Sequence, residues 1–173
     1  MLEFKVETGE ALEDSTSYVS VEFADQYIQA FYPDHFPDWD EKSVSQKEFA
    51  LIVSTTFLDN LIRWESQIVN QQQALSWPRR DFKDKQGRIV KHDSVPKIIK
   101  ESTVRIAKEK LTGNADIDEQ PVYLMSQDYG DSRESYVGPT REGGNDEIHK
   151  TRITLMRNGY GSANGSIVDV VRA

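Results

Sequence analysis

The residues with chemical potential in this chain fall into a few groups, and most groups fail on spacing. Asn114, Asp116 and Asp118 alternate like the oxygen donors that open a calcium loop. Glu119 then stands where such a loop turns on glycine, and Met125 where a bidentate glutamate closes it, so no calcium site is expected. The run Gly159-Tyr-Gly161-Ser-Ala-Asn-Gly165 misses the dinucleotide-binding spacing by one residue and follows no βα unit, so it reads as a flexible turn. His35, His92 and His149 sit in three separate loop contexts without HxH or HxxE spacing. With no cysteine, thiolate zinc sites, disulfides and a cysteine nucleophile are all excluded. Carboxylates are numerous, yet no pair is set apart as general acid and base. The expectation is a protein that is not an enzyme and holds no cofactor or metal.

Charge offers a different chemistry. The 173 residues carry 21 Lys and Arg against 29 Asp and Glu, for a net charge of -8. The distribution is uneven: residues 1–75 hold 4 basic and 14 acidic side chains, residues 76–112 hold 11 and 5, and residues 113–173 hold 6 and 10. The densest basic stretch runs from Arg79 and Arg80 through Lys83, Lys85 and Arg88 to Lys91. Cations of this kind neutralise phosphates, and single-strand binders interleave them with aromatic rings; Trp77, Arg79 and Phe82 fall in the same stretch. Arg80, Lys83, Lys85 and Arg88 are therefore the candidate DNA-facing residues. A strong basic excess, usual in proteins whose main task is to grip nucleic acid, is missing.

The elements that position this stretch follow from periodicity and caps. Residues 1–19 read as a short extended arm closed by a turn. Ser20 caps an amphipathic helix from Val21 to Tyr32, and Pro33 and Pro37 end it. Phe49, Val53, Phe57 and Leu61 recur every four residues, with Ala50, Leu58 and Trp64 alongside, and predict a helix from about Val44 to Trp64 with one broad buried stripe. Leu75-Ser-Trp77-Pro78-Arg79 forms a rigid corner, because Pro78 disfavours helix at Trp77 and the indole must pack. A loop or short hairpin turns near Gln86-Gly87, and a third helix starts after Ser94, with Pro96 at an early position, and runs to about Leu111, with Ile99, Thr103, Ile106, Ala107 and Leu111 inward and Gly113 as its stop. Residues 114–150 are acidic and rich in glycine, with strand-like Val122–Met125 and Tyr136–Val137. Ile153–Arg157 and Ile167–Val171 are β-prone and predict a hairpin or an arm that reaches another chain. The fold class is mainly α: a small helical bundle of three or more helices, with an extended N-terminal arm and a β-hairpin or extended C-terminal arm. Two regions are expected, a helical core at 1–112 and an assembly region at 113–173 that is too polar to form its own core.

Four stretches taken together carry a resemblance: Asp14-Ser-Thr-Ser-Tyr-Val-Ser-Val-Glu-Phe-Ala-Asp-Gln-Tyr27, Phe57-Leu-Asp-Asn-Leu-Ile-Arg-Trp64, Ala74-Leu-Ser-Trp-Pro-Arg79, and Val95-Pro96 leading to Ile106-Ala107. In order and spacing they resemble tailed-bacteriophage head-tail connector (adaptor) proteins, a group also labelled DnaT-like single-stranded-DNA-binding proteins. The resemblance implies a structural virion protein at the neck, made in the host cytoplasm. It implies a ring of identical subunits, usually a dodecamer, beneath the portal protein, joined below to a neck or tail protein and threaded by double-stranded DNA. In that setting Trp77, Pro78 and Arg79 fix a structural corner. The alternative is a single-stranded-DNA-binding protein. No membrane partner is expected: no apolar run is long enough to span a bilayer, and Met1-Leu-Glu-Phe-Lys-Val-Glu lacks a secretory leader's basic start.

Overall fold

The computed structural model describes residues 3–112, 127–129, 132–134 and 146–163. Four helices build the core: α1 (Val21–Phe31), α3 (Val44–Leu61), α4 (Lys97–Thr112) and α5 (Asp146–Arg157). A 3-10 turn at Pro33–His35 and the short α2 (Phe36–Asp40) join α1 to α3. Among the described residues the mainly α class holds, with strands only in three two-stranded antiparallel pairs. β1 (Ile62–Trp64) pairs with β6 (Gly161–Ala163), β2 (Gln67–Ile68) with β3 (Arg79–Arg80), and β4 (Gln127–Tyr129) with β5 (Ser132–Glu134). No helix among the described residues is long and apolar enough to cross a membrane.

Local chemistry sets the helix ends. The Ser20 hydroxyl accepts from Phe23 N–H at 3.2 Å, and Ser43 forms a full capping box with Gln46. α1 buries Val21, Ala24, Tyr27 and Ile28. α4 buries Ile99, Thr103, Ile106 and Ala107, as its spacing predicts, while Leu111 is half-buried at the core's edge. The aromatic connector after α1 closes the core: Trp39 is fully buried, and its indole N–H donates to Asp25 Oδ1 at 2.6 Å.

α3 buries Ala50 and Leu58 of the expected stripe, but its buried face is turned away from the four-residue repeat. Ala50, Leu51, Ser54, Thr55 and Leu58 point inward, while Phe49 is 61% exposed. The reason is geometric. A step of four residues advances about 40° beyond one turn, so a four-residue stripe winds around the helix. It begins in solvent at Phe49 and reaches the core's edge only at Phe57 and Leu61. The buried residues are mostly small, which suits close packing on Ser102, Thr103 and Ala107 of α4, the helix against which α3 makes its main contact.

The chain beyond 146 also departs from expectation. Ile153–Arg157 is helix, not strand, and His149 lies on the same helix, not in a loop. Its β-branched residues favour strand, but packing on α4 buries Thr151 and Leu155 four residues apart and overrides that preference. Gly159, at φ +80°, ends α5: its N–H donates to Met156 O at 3.0 Å and that of Tyr160 to Leu155 O at 3.1 Å. This is the paired bonding of a glycine C-cap, so the first glycines of the expected flexible turn are a helix stop and the start of β6. Leu155 and Tyr160 belong to the same core as Ile28 and Trp77, so that core continues past residue 112. The expected strands at 122–125 and 136–137, Gly113, and the run Ile167–Val171 lie outside the described residues.

At the other end, the arm is extended at Val6, which bridges Ser17, and then closes on Glu7. The Glu7 carboxylate is 1% exposed and accepts from the N–H groups of Gly9, Ala11 and Leu12 and from the Ser15 hydroxyl, at 2.8–3.1 Å. Gly9, at φ +115°, presses on the backbone of Asp93, where a β-carbon would collide.

Candidate nucleic-acid interface

The basic stretch begins at the Trp77 corner, where a cis Trp77–Pro78 bond turns the chain. Trp77 is fully buried, edge-on to Trp64 and Phe82 at 5.8 and 5.2 Å and tilted against Tyr160 at 5.5 Å. Its backbone N–H donates to the Tyr18 oxygen at 3.2 Å, and the Tyr18 hydroxyl donates to Asp59 Oδ1 at 2.6 Å. Asp59 Oδ2 accepts from Ser76 N–H at 2.9 Å. Burial raises the pKa of the Asp59 carboxyl, against the pull of its hydrogen bonds from Tyr18 and Ser76. Burial, with Asp59 alongside, raises Tyr18 well above its ordinary range.

Arg79 completes the corner. Its Nε donates to Glu65 O at 2.7 Å and Nη1 to Ser76 O at 3.0 Å, and Nη2 donates to Ser66 O. All three partners are backbone carbonyls of the protein itself. Pro78, buried beside it, has its carbonyl bonded by the Gln73 side chain at 3.1 Å. Trp77, Pro78 and Arg79 are thus built into the interior, and Trp77 and Phe82 have no ring face open to a base.

Beyond Phe82 the chain forms the hairpin that the Gln86-Gly87 signal predicts. Lys83 bridges Ile89, Asp84 N–H donates to Arg88 O at 3.0 Å, and Gly87 N–H returns to Asp84 O at 2.8 Å. The Asp84 carboxylate organises the tip by accepting from the N–H groups of Gln86 and Arg88, each at 2.9 Å, and from Arg88 Nε at 2.7 Å. These bonds, that from the Arg88 backbone foremost, hold its pKa below the usual carboxylate range.

The structure brings three of the four candidate DNA-facing residues to this tip. Lys83, Lys85 and Arg88 are exposed on it. Arg80 stands apart on β3, and its guanidinium turns back to Ile68 O and Val69 O at 3.0 and 2.6 Å. Ile89, 73% exposed, places an apolar surface across from Lys83.

Sequence reasoning missed the surface opposite the hairpin. Lys85 N–H donates to Asn158 O at 3.2 Å, which docks the tip on the C-terminal end of α5. Between them lies a cleft of about 240 Å³, lined by Asp84, Lys85, Gln86 and Arg88 on one side and Arg157, Asn158 and Tyr160 on the other, with Ile98 of α4. The available signal was Arg157-Asn-Gly159, a basic last turn followed by a glycine stop, which marks a helix end. No group of three or more potential metal ligands occurs among the described residues.

Comparison with curated proteins and with solved structures gives no match. From residue 2 to residue 173 the sequence matches the family described as "Putative DnaT-like ssDNA binding protein", the second of the two labels attached to the resemblance above, and the chain belongs to that family.

Proposed function

We propose that this chain binds single-stranded DNA, with the 83–91 hairpin as its contact surface. The observation that carries the reading is a family match spanning nearly the whole chain, in a molecule whose basic stretch is presented on an exposed hairpin. Lys83, Lys85 and Arg88 contact phosphates, and Ile89 lies against a sugar or base. Trp77, Phe82 and Tyr160 are buried, so base stacking at this surface is absent and recognition is independent of sequence. Binding of this kind is weak, and the net charge of -8 weakens it further at low salt. No reaction accompanies it. The test is a fluorescent oligonucleotide titrated at several salt concentrations. The Lys83→Ala, Lys85→Ala double variant is expected to lower the slope of log K against log salt by about 1.4, at ~0.7 per phosphate contact on a single strand. An affinity indifferent to both salt and the double substitution rejects the reading.

A second reading is supported by a separate observation. Phe31, Val44 and Phe49 are 61–63% exposed, an amount of bare apolar surface that suits contact with other subunits. In that reading, which follows the resemblance to head-tail connectors, the chain is a virion neck component. Copies assemble into a ring against the portal, with a neck or tail protein below and double-stranded DNA in the channel. Sedimentation and electron microscopy of the protein mixed with a portal distinguish the two: a ring favours the connector, and a persistent monomer beside the portal rejects it.

A further inference from the structure

We infer that the cleft between the hairpin tip and the end of α5 is a phosphate seat, built by the side chains of Lys85, Arg88, Arg157 and Tyr160. The inference rests on the single-strand reading for its ligand, a phosphodiester of the DNA backbone, but its geometry stands separately.

Three observations converge on it. First, the cationic ends are available. Among the described residues, neither Lys85 nor Arg157 forms a side-chain ion pair, and both are exposed where they line the cleft. Second, the one acid in the lining is occupied. Asp84 already accepts two backbone N–H groups and Arg88 Nε, so Lys85 and Arg157 are left to face an incoming anion.

Third, Tyr160 brings an unused donor. The residue is 8% exposed, its ring packed on Trp77 and Phe82, yet it lines the cleft, and its hydroxyl has no hydrogen-bond partner among the described residues. Burial raises its pKa, with Asp84 adding to the shift and Arg88 opposing it. The hydroxyl is protonated at neutral pH and can donate. A donor whose ring is held by Trp77 and Phe82, at the wall of a cleft lined by cations, is the arrangement that binds one tetrahedral anion by charge-assisted hydrogen bonds. The cleft is also fixed at both walls, through the Lys85 N–H to Asn158 O bond and the Gly159 cap.

The test uses the full chain and inorganic phosphate at constant ionic strength, followed by amide and tyrosine-ring NMR. Saturable shifts at residues 85–88 and 157–160 are expected, with phosphate affinity falling on the order of tenfold in Arg157→Ala. Tyr160→Phe keeps the ring packing and is expected to weaken phosphate more modestly, without a change in unfolding midpoint. With oligonucleotide, Arg157→Ala is expected to lower the salt slope by about 0.7, one single-strand phosphate contact. No phosphate-dependent shift at the cleft overturns the seat, as does oligonucleotide binding that Lys83→Ala with Lys85→Ala weakens and Arg157→Ala leaves unchanged. If the wild-type chain takes phosphate at these residues but no oligonucleotide at any salt, the seat stands for a free phosphate compound and the single-strand reading falls.

Discussion

Arg79 and Arg88 lie nine residues apart in one basic stretch, and the fold gives them opposite fates. Arg79 is buried, with its guanidinium on three backbone carbonyls. The Arg88 side chain is 73% exposed, tied by one bond to Asp84 and otherwise open to solvent. The same contrast separates the aromatics: Trp77, Phe82 and Tyr160 make the floor, and the cations of the hairpin make the surface above it. Charge composition cannot tell a structural arginine from a ligand-facing one, because the difference lies in whether unpaired carbonyls lie within reach. Here the turn at Glu65-Ser66, with Ser66 at φ +67°, supplies two of those carbonyls, and Ser76 supplies the third.

The contrast breaks most visibly at its floor. Trp77→Ala removes the ring shared by three aromatic neighbours, and a loss of about 3–5 kcal/mol is expected in a denaturant unfolding experiment. Trp77→Phe should cost clearly less. It keeps most of the ring contact and removes an indole N–H that is buried without a partner among the described residues. Equal losses from the two variants would mean that the indole N–H is bonded, and that the ring contacts are not what holds the corner.

A smaller effect sharpens the arginine comparison. Arg79→Ala leaves the carbonyls of Glu65, Ser66 and Ser76 without their donor and is expected to cost about 2–3 kcal/mol, while Arg88→Ala, an exposed pair, costs about 0–1 kcal/mol. The order reverses for oligonucleotide affinity, where Arg88→Ala weakens binding and Arg79→Ala, measured where it remains folded, does not. Two thermal melts and two titrations check both halves.

Much of this arrangement is legible in the sequence, and the failures have physical causes. Ser20 marks a helix start because a hydroxyl just before an apolar period can cap the first turn, and it caps as read. The hairpin turn at Gln86-Gly87 is equally local. The corner at Trp77 and Pro78 is foreseen, but the bonds of Arg79 are not, since its partners lie 3 to 14 residues away along a loop with no periodic signal. α3 misleads because its most conspicuous side chains, Phe49 and Val53, are not the ones that fit against α4. α5 is hidden by β-branched Ile153 and Thr154, and with it went Arg157 and Tyr160, half of the candidate site. Glu7 is a further omission: one of 14 acidic side chains in residues 1–75, it gives no hint in composition that it gathers four donors.

The subtlest difference between floor and surface lies in how α5 is held, since that helix carries the cleft's Arg157 at one end and is tied to α1 at the other. There the Tyr32 hydroxyl donates to Glu147 Oε2 at 3.3 Å, beneath Lys108 Nζ, which sits 4.4 Å from the Tyr32 ring centre. Burial, with the Glu147 charge second, pushes the Tyr32 pKa up to about 12, against Arg105. In the unfolded chain the group titrates near its ordinary value of about 10. Between these values the native state keeps a proton that the unfolded state has lost, so the stability this tyrosine contributes is complete below pH 10 and disappears as pH rises toward 12. Tyr32→Phe is therefore expected to flatten this part of the pH dependence of unfolding between 10 and 12, with little change at pH 7 because the exchanged bond is long and partly solvated. If the variant retains the full wild-type alkaline slope, the drop belongs to Tyr18 or Tyr160, both also raised by burial, and the floor rather than the α5 anchor is what gives way first.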